Sequence, residues 1–248
     1  MSRPRALDLF CCAGGAAMGL RRAGFDVVGV DILPQPNYPF EFHQCDALAF
    51  PYQHFDFIWS SPPCQAYSWA AKRWTNVERV DLVAPTRDRL VKSGIPFVIE
   101  NVVGSPLRKD LVLTGQMFGL RVIRRRHFEL HGFHVPQPAP VKAGKVGFGP
   151  NDFVTVAGHG GDGSARLSNW QDAMDIHWMS KQEMTQAIPP AYSEFIGREA
   201  LRQIGMSISR QYRPTPKPKP DKSSNPMSFG ATRQRPAVKV GNSEGAGR

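Results

Sequence analysis

Residues 1–129 predict an α/β protein with a doubly wound, mostly parallel sheet, completed by residues 170–209 and interrupted by a small loop-rich insert over 130–169. Three features carry this reading. Short apolar runs recur and end at an acid or a glycine turn. Helical segments separate successive runs. The first unit reads strand, glycine turn, helix, strand, acid, which is the repeating element of a parallel sheet.

In order, Ala6-Leu7-Asp8-Leu9-Phe10-Cys11 is the first apolar run, and it meets the small-residue turn Ala13-Gly14-Gly15. Residues 16–23 read as a helix closed by Gly24, and residues 25–30 as a second strand ending at Asp31. Strands follow at 55–59, 96–100 and 111–114, with helical periodicity over 75–91. Residues 131–152 hold Pro136, Pro138, Pro140, Gly144, Gly147, Gly149 and Pro150, a loop composition, ahead of a short strand candidate at 153–156. Helical patterns return over 170–205, where Pro189-Pro190 opens a last helix. From about residue 210 prolines and charges dominate, so 210–248 reads as a disordered basic tail.

The 248 residues are 41% hydrophobic and 21% charged, which excludes a collagenous, coiled-coil or wholly disordered chain. No stretch approaches about 18 uninterrupted apolar residues, so no transmembrane helix is expected. Met1-Ser2-Arg3-Pro4-Arg5 leads into the first strand rather than forming a signal peptide, and a cytoplasmic monomer is expected. The net charge is +10, but 9 of the 31 basic and 2 of the 21 acidic residues fall in 210–248. The body is therefore nearly balanced, and a polyanionic partner is suggested chiefly by the tail. The four cysteines, 11, 12, 45 and 64, form no CxxC pair and meet no histidines at zinc-finger spacing. Neither a disulfide scaffold nor a metal is expected, so each thiol is a small core residue or a reagent.

Ligands of an open parallel sheet lie outside the carboxyl ends of its strands. That directs attention to residues 10–15, Asp31, Asp46, residues 60–68 and Glu100-Asn101. Gly14-Gly15 either tightens a turn or lets backbone approach a ligand, while Asp31 can accept two ribose hydroxyls. With no GK[ST] and no full GxGxxG, a nucleoside without phosphates fits best. In Ser61-Pro62-Pro63-Cys64-Gln65 two prolines stiffen the loop presenting Cys64, which is either a nucleophile or a buried free thiol. Glu100 is either a tunable acid or the partner of an ordinary salt bridge. Arg124-Arg125-Arg126 is either solvated surface or a site for a carbonyl and phosphates.

Taken together and in order, these residues resemble the cytosine-5 DNA methyltransferases. The resemblance covers about residues 5–205 and runs through Asp8-Leu9-Phe10…Gly14-Gly15, Asp31, Asp46, Pro63-Cys64-Gln65, Glu100-Asn101-Val102, Arg124-x-Arg126, Ala187-Ile188-Pro189-Pro190 and Ile196-Gly197. It implies a Rossmann-like fold and S-adenosylmethionine as cofactor, held by Phe10, Ala13, Gly14, Gly15, Asp31, Ile32, Asp46, Ala47 and Pro62. It implies double-stranded DNA as partner, with Gln65, Ser68, Lys72 and Arg73 touching it beside Trp69 and Trp74, unless that loop simply packs on the sheet. The cytosine would be flipped out. Cys64 would attack its carbon 6, Glu100 would act at N3, and Arg126, with Arg124 beside it, would hold O2.

The sequence departs from the family pattern at Cys12, where a glycine is usual, at Val122 and at Thr185-Gln186. The target-recognition region is reduced to residues 130–169, with Lys142, Lys145, His159, Arg166 and Asn169 as candidate base readers. A short recognition sequence or low specificity is expected, in an enzyme of phage or mobile-element size. RNA is the alternative substrate, and a catalytically silent DNA- or cofactor-binding relative is the alternative from another class.

Overall fold

The structure, a computed structural model, describes residues 2–64, 67, 80–147, 149, 151–156 and 166–211, the last six by backbone alone. These residues fall in one unit, Met1–Tyr212. Residues 210 and 211 of the expected tail continue the last helix, while the rest of that tail, and the expected DNA-facing residues Gln65, Ser68, Trp69, Lys72, Arg73, Trp74 and His159, lie outside the described residues.

Strands that are apolar on both faces can sit only in the middle of a two-sided core. Four runs meet that condition: β1 (Arg5–Leu9), β2 (Asp26–Asp31), β4 (Phe57–Ser60) and β5 (Phe97–Asn101), buried but for the first residue of β1 and of β2. With β3 (Glu41–Gln44), β6 (Leu111–Leu113) and β7 (Arg126–His131) they form one sheet of order β3-β2-β1-β4-β5-β7-β6. The pairs from β3 to β5 are parallel, and β7 runs antiparallel to β5 and β6. The mostly parallel, doubly wound expectation holds. Val112 of edge strand β6 exchanges two bonds of 2.9 and 2.8 Å with the Gln137 side chain, which occupies part of the open edge.

Helices cover both faces. On one, Ala6, Phe57, Trp59 and Phe128 pack with α1 (Gly15–Ala23) and α5 (Pro190–Gln211). On the other, Leu7, Leu9, Ile58, Phe97 and Ile99 pack with α2 (Val83–Ser93). The α1–α5 contact is close because Gly19 has no side chain: a Cβ there would fall 2.0 Å from the Pro190 carbonyl oxygen. A third cluster joins Ala13, Val122, Val154 and Val156 to α3 (Leu167–Met174), with Met184 from α4 (Lys181–Met184).

The structure departs from the sequence-based expectation in places. The helix expected over 75–91 begins at Val83, because Pro85 lacks an N–H and is tolerated only in a first turn; residues 75–79 lie outside the described set. Residues 153–156 form single bridges, Val122 to Val154 and Val146 to Phe153, rather than a strand. Strand β7 is an addition to the expected elements, since its Arg126, Glu129 and His131 read as surface charge. Among the described residues no helix is long and apolar enough to cross a membrane, and no His, Cys, Asp and Glu group could hold a metal.

Candidate active site

The chain runs from β1 outward through β2 and β3, then returns to place β4 on the other side of β1. The connections leaving the carboxyl ends of β1 and β4 therefore diverge, which opens a crevice between them. A cavity of about 290 Å³ occupies that position. Phe10, Cys12 and Gly15 line it from β1, Asp31, Ile32 and Leu33 from β2, and Ser61, Pro62 and Cys64 from β4. Glu100 and Asn101 close it from β5, Arg124 and Arg126 from the entry to β7, and residues 185–188 from the segment before α5.

The first wall is a strained turn. Phe10 and Cys12 take positive φ angles of 57° and 44°, unusual for residues with a Cβ, and Gly14 follows at 80°. Asp31 stabilises this shape by accepting from the Cys12 amide at 3.0 Å and the Leu33 amide at 3.0 Å. The turn is tied to the C-terminal segment by Trp178 Nε1, which donates to the Ala13 carbonyl at 2.9 Å, and by Cys12 Sγ, 3.4 Å from Gln186 Oε1. Two positions where the chain departs from the family pattern thus meet each other. Burial and the neighbouring Asp31 and Asp8 push the Cys12 thiol up to about 12, so it stays protonated.

The second wall presents Cys64, the expected nucleophile. Asn101 Nδ2 donates to the Pro62 carbonyl at 2.8 Å, and Trp59 Nε1 donates to Ser61 Oγ at 2.9 Å, pinning the proline loop to β4 and β5. Cys64 sits at the end of that loop. Burial and the Glu100 carboxylate raise its thiol above the ordinary value, while Arg126 and Arg124 pull the other way.

The third wall holds acid and cations. Glu100 is 4% exposed, and its carboxylate lies 2.9 Å from Arg126 Nε. Burial raises Glu100 above its ordinary value despite Arg126, Ser61 and Arg124, so it can carry a proton nearer neutral pH than a surface glutamate. Arg124 helps hold the site together, donating from its two terminal nitrogens to the Val156 carbonyl at 2.6 Å and the Thr185 carbonyl at 2.7 Å.

Of the expected site residues, Phe10, Gly15, Asp31, Ile32, Pro62, Cys64, Glu100, Arg124 and Arg126 line this one cavity. Ala13, Gly14, Asp46 and Ala47 do not. Ala13 is buried in the third cluster, and Gly14 packs under Tyr38 and Pro39. Asp46 is exposed and accepts from the Leu48 amide at 2.8 Å, with Ala47 buried behind it. Lys142, Lys145, Arg166 and Asn169 line no part of it, and Lys145 pairs with Asp152 at 3.8 Å. Sequence reasoning missed Asp8 and Gln186 as wall residues. An acid inside a strand otherwise apolar on both faces was the available signal for Asp8.

Residues 5–105 match the family of C-5 cytosine-specific DNA methylases. Over 130 residues the chain is 32% identical to the type II methyltransferase M.XorII of Xanthomonas oryzae pv. oryzae, covering 44% of this chain and 30% of that protein. The chain thus spans less than a third of the length of that curated relative. Among solved structures, the S. pombe Dnmt2 methyltransferase aligns at a TM-score of 0.52 with 13% identity, covering 81% of this chain and 99% of that one. The Entamoeba histolytica methyltransferase EhMeth aligns at 0.50 with 10% identity, covering 84% and 99%. These two likenesses establish the Rossmann-like fold of methyltransferases.

Proposed function

We propose that this chain, whose residues 5–105 match the C-5 cytosine-specific DNA methylases, transfers a methyl group from S-adenosylmethionine to carbon 5 of cytosine in double-stranded DNA. The observation that carries the reading is the convergence of Cys64, Glu100 and Arg126 in one cavity that is also lined by Phe10, Asp31, Ile32 and Leu33.

The slot suits the cofactor. Ile32 and Leu33 are 67% and 63% exposed, apolar surface that the core leaves free for a flat ring. Asp31 keeps acceptor capacity beyond its two amide bonds for ribose hydroxyls. Asp8 is buried on the cavity wall, its carboxyl held well above the ordinary value by burial and by Asp31, beside the space the cofactor would take. When bound, the cofactor supplies an electrophilic methyl group.

The rest is done by this chain's own side chains. Cys64 Sγ adds to carbon 6 of an extruded cytosine, and the electron pair displaced toward N3 is met by the Glu100 proton. Arg126 holds the carbonyl oxygen O2 and keeps Glu100 oriented through their ion pair. Carbon 5, made nucleophilic, accepts the methyl group. Loss of the carbon 5 proton to a base re-forms the ring double bond and expels the Cys64 thiolate, and the N3 proton returns to Glu100.

The test is transfer of labelled methyl to duplex DNA, with Cys64→Ser and structured RNA run in parallel. Label appearing as 5-methylcytosine in DNA and absent with Cys64→Ser is the expected result. Label confined to RNA would replace the substrate, and no label with cofactor bound would leave a silent scaffold.

A further inference from the structure

We propose that the contact between Asn37 and Glu183 is a latch that holds the segment between β2 and β3 in its cofactor-binding shape, which makes both side chains positioning residues for cofactor retention; the inference rests on the cofactor reading of this cavity. Ile32, Leu33 and Gln35 line the cavity from that segment, and residues 185–188 line it from the stretch after α4. Asn37 and Glu183 themselves line no part of it. Yet the Asn37 side-chain amide donates to both carboxylate oxygens of Glu183, at 3.1 and 3.0 Å, across 146 residues of chain. Two walls of one cavity are thereby tied together from outside it.

Each partner is fixed from behind. Glu183 belongs to the capping box of α4: its carboxylate accepts from the Ser180 amide at 2.7 Å, and its own amide donates to Ser180 Oγ at 3.4 Å. The carboxylate is thus aimed by its own helix before Asn37 reaches it. Asn37 precedes Tyr38, which is buried with its ring over Gly29 of β2. The Tyr38 amide donates to the Gln35 carbonyl at 3.0 Å and closes a turn around Asn37. Near β2, the Leu33 amide bonds Asp31 at 3.0 Å and Gln44 Nε2 donates to the Ile32 carbonyl at 3.3 Å. Those bonds hold the segment to the sheet, whereas the Asn37 bond crosses to the opposite wall. Between these anchors Ile32, Leu33, Pro34 and Pro36 are exposed.

An exposed segment that must grip a ligand loses conformational freedom when the ligand arrives, unless the fold has already ordered it. The latch shifts that ordering from binding to folding. Its acceptor is ionised, which makes the bond stronger than a neutral pair. It joins the segment after β2 to α4, while Cys64, Glu100 and Arg126 come from the β4 loop, β5 and β7. Its loss therefore weakens the hold on the cofactor and leaves the groups proposed for the chemistry in place.

Calorimetric binding and stopped-flow release of S-adenosylmethionine and S-adenosylhomocysteine, measured on the full chain and its variants, test this. In Asn37→Ala both ligands are expected to bind about three- to tenfold more weakly and to leave correspondingly faster, with turnover on duplex DNA at saturating cofactor within about twofold. Asn37→Asp sets a carboxylate against Glu183 and should lose more. Adding Glu183→Gln to Asn37→Asp exchanges donor and acceptor and keeps the capping box, which accepts glutamine as well as glutamate. That pair should return affinity to within about twofold of the unaltered chain, a recovery that mere loss of helix stability would not show. Unchanged affinity in Asn37→Asp, or a loss that the paired substitution does not recover, overturns the inference. So does a fall in turnover with affinity unchanged. Binding of neither ligand by the unaltered chain would instead sink the cofactor reading itself, and the latch with it.

Discussion

Cys64 stands between opposing fields, and its reactivity follows from which one prevails. Burial and Glu100 disfavour the thiolate, while Arg126 and Arg124 favour it, and the sum raises the thiol. A thiol reacts as its thiolate, so Cys64 is expected to be mostly unreactive at neutral pH, with its reactivity climbing as pH rises. Removing the negative neighbour should release it. In Glu100→Gln, the midpoint of Cys64 alkylation by iodoacetamide is expected to move down by roughly one pH unit, and in Arg126→Ala to move up by a similar amount. Glu100→Gln should nonetheless abolish methyl transfer, because the proton donor is gone. Cys12, pushed up to about 12, and Cys11, higher still, should remain unlabelled in the same peptide digest. A Cys64 midpoint indifferent to both substitutions would show that these charges do not set its state.

Strand β7 joins Arg126, the arginine proposed to hold the base, to the sheet through a pattern that hides it in the sequence. Arg126 turns to Glu100 in the cavity, while Glu129 is 4% exposed and takes two bonds of 2.8 Å from Arg87 of α2. It also accepts the Arg108 amide at 3.0 Å. Burial alone would raise Glu129, but these donors outweigh it and hold the carboxyl below its ordinary value. A depressed carboxyl contributes stability that is complete above its unfolded value and is lost as pH falls through the folded one. Glu129→Gln is therefore expected to cost about 1–3 kcal/mol near pH 7, discounted from a fully buried pair because Arg87 is partly exposed. The difference from the unaltered chain should shrink toward zero in acid denaturation, and a pH-independent gap would assign the loss to packing. The strands β1, β2, β4 and β5 are legible in the sequence because they are apolar on both faces, and Cys64 and Glu100 because they end such strands or the loops that follow them. β7 is not, because each of its charges is satisfied by a residue distant in the chain. Asp8 reads as part of an apolar run, although the fold places an acid there to face a cavity. Asp46 matches the cofactor pattern by its place after a strand, yet β3 lies at the sheet edge and leaves it facing solvent.

At the scale of the molecule, the body carries too little net charge to draw DNA to the cavity by itself. Residues 213–248 hold 8 basic and 2 acidic residues, so most of the +10 charge lies beyond the unit that contains the cavity. Lys and Arg that neutralise phosphates contribute through counterion release, which depends on salt and not on base sequence. A chain ending at residue 212 is therefore expected to bind duplex DNA more weakly at low salt, with the deficit fading as salt rises. The slope of log affinity against log salt should flatten by roughly 0.9 for each phosphate that the shortened chain leaves unneutralised. The proposed chemistry uses Cys64, Glu100 and Arg126, all within the remaining unit, so the single-turnover rate at saturating DNA should stay within about twofold of the full chain. Proportional loss of that rate would mean that residues 213–248 help to assemble the closed site, since a tail that acted only by attraction could not alter the rate once DNA is bound.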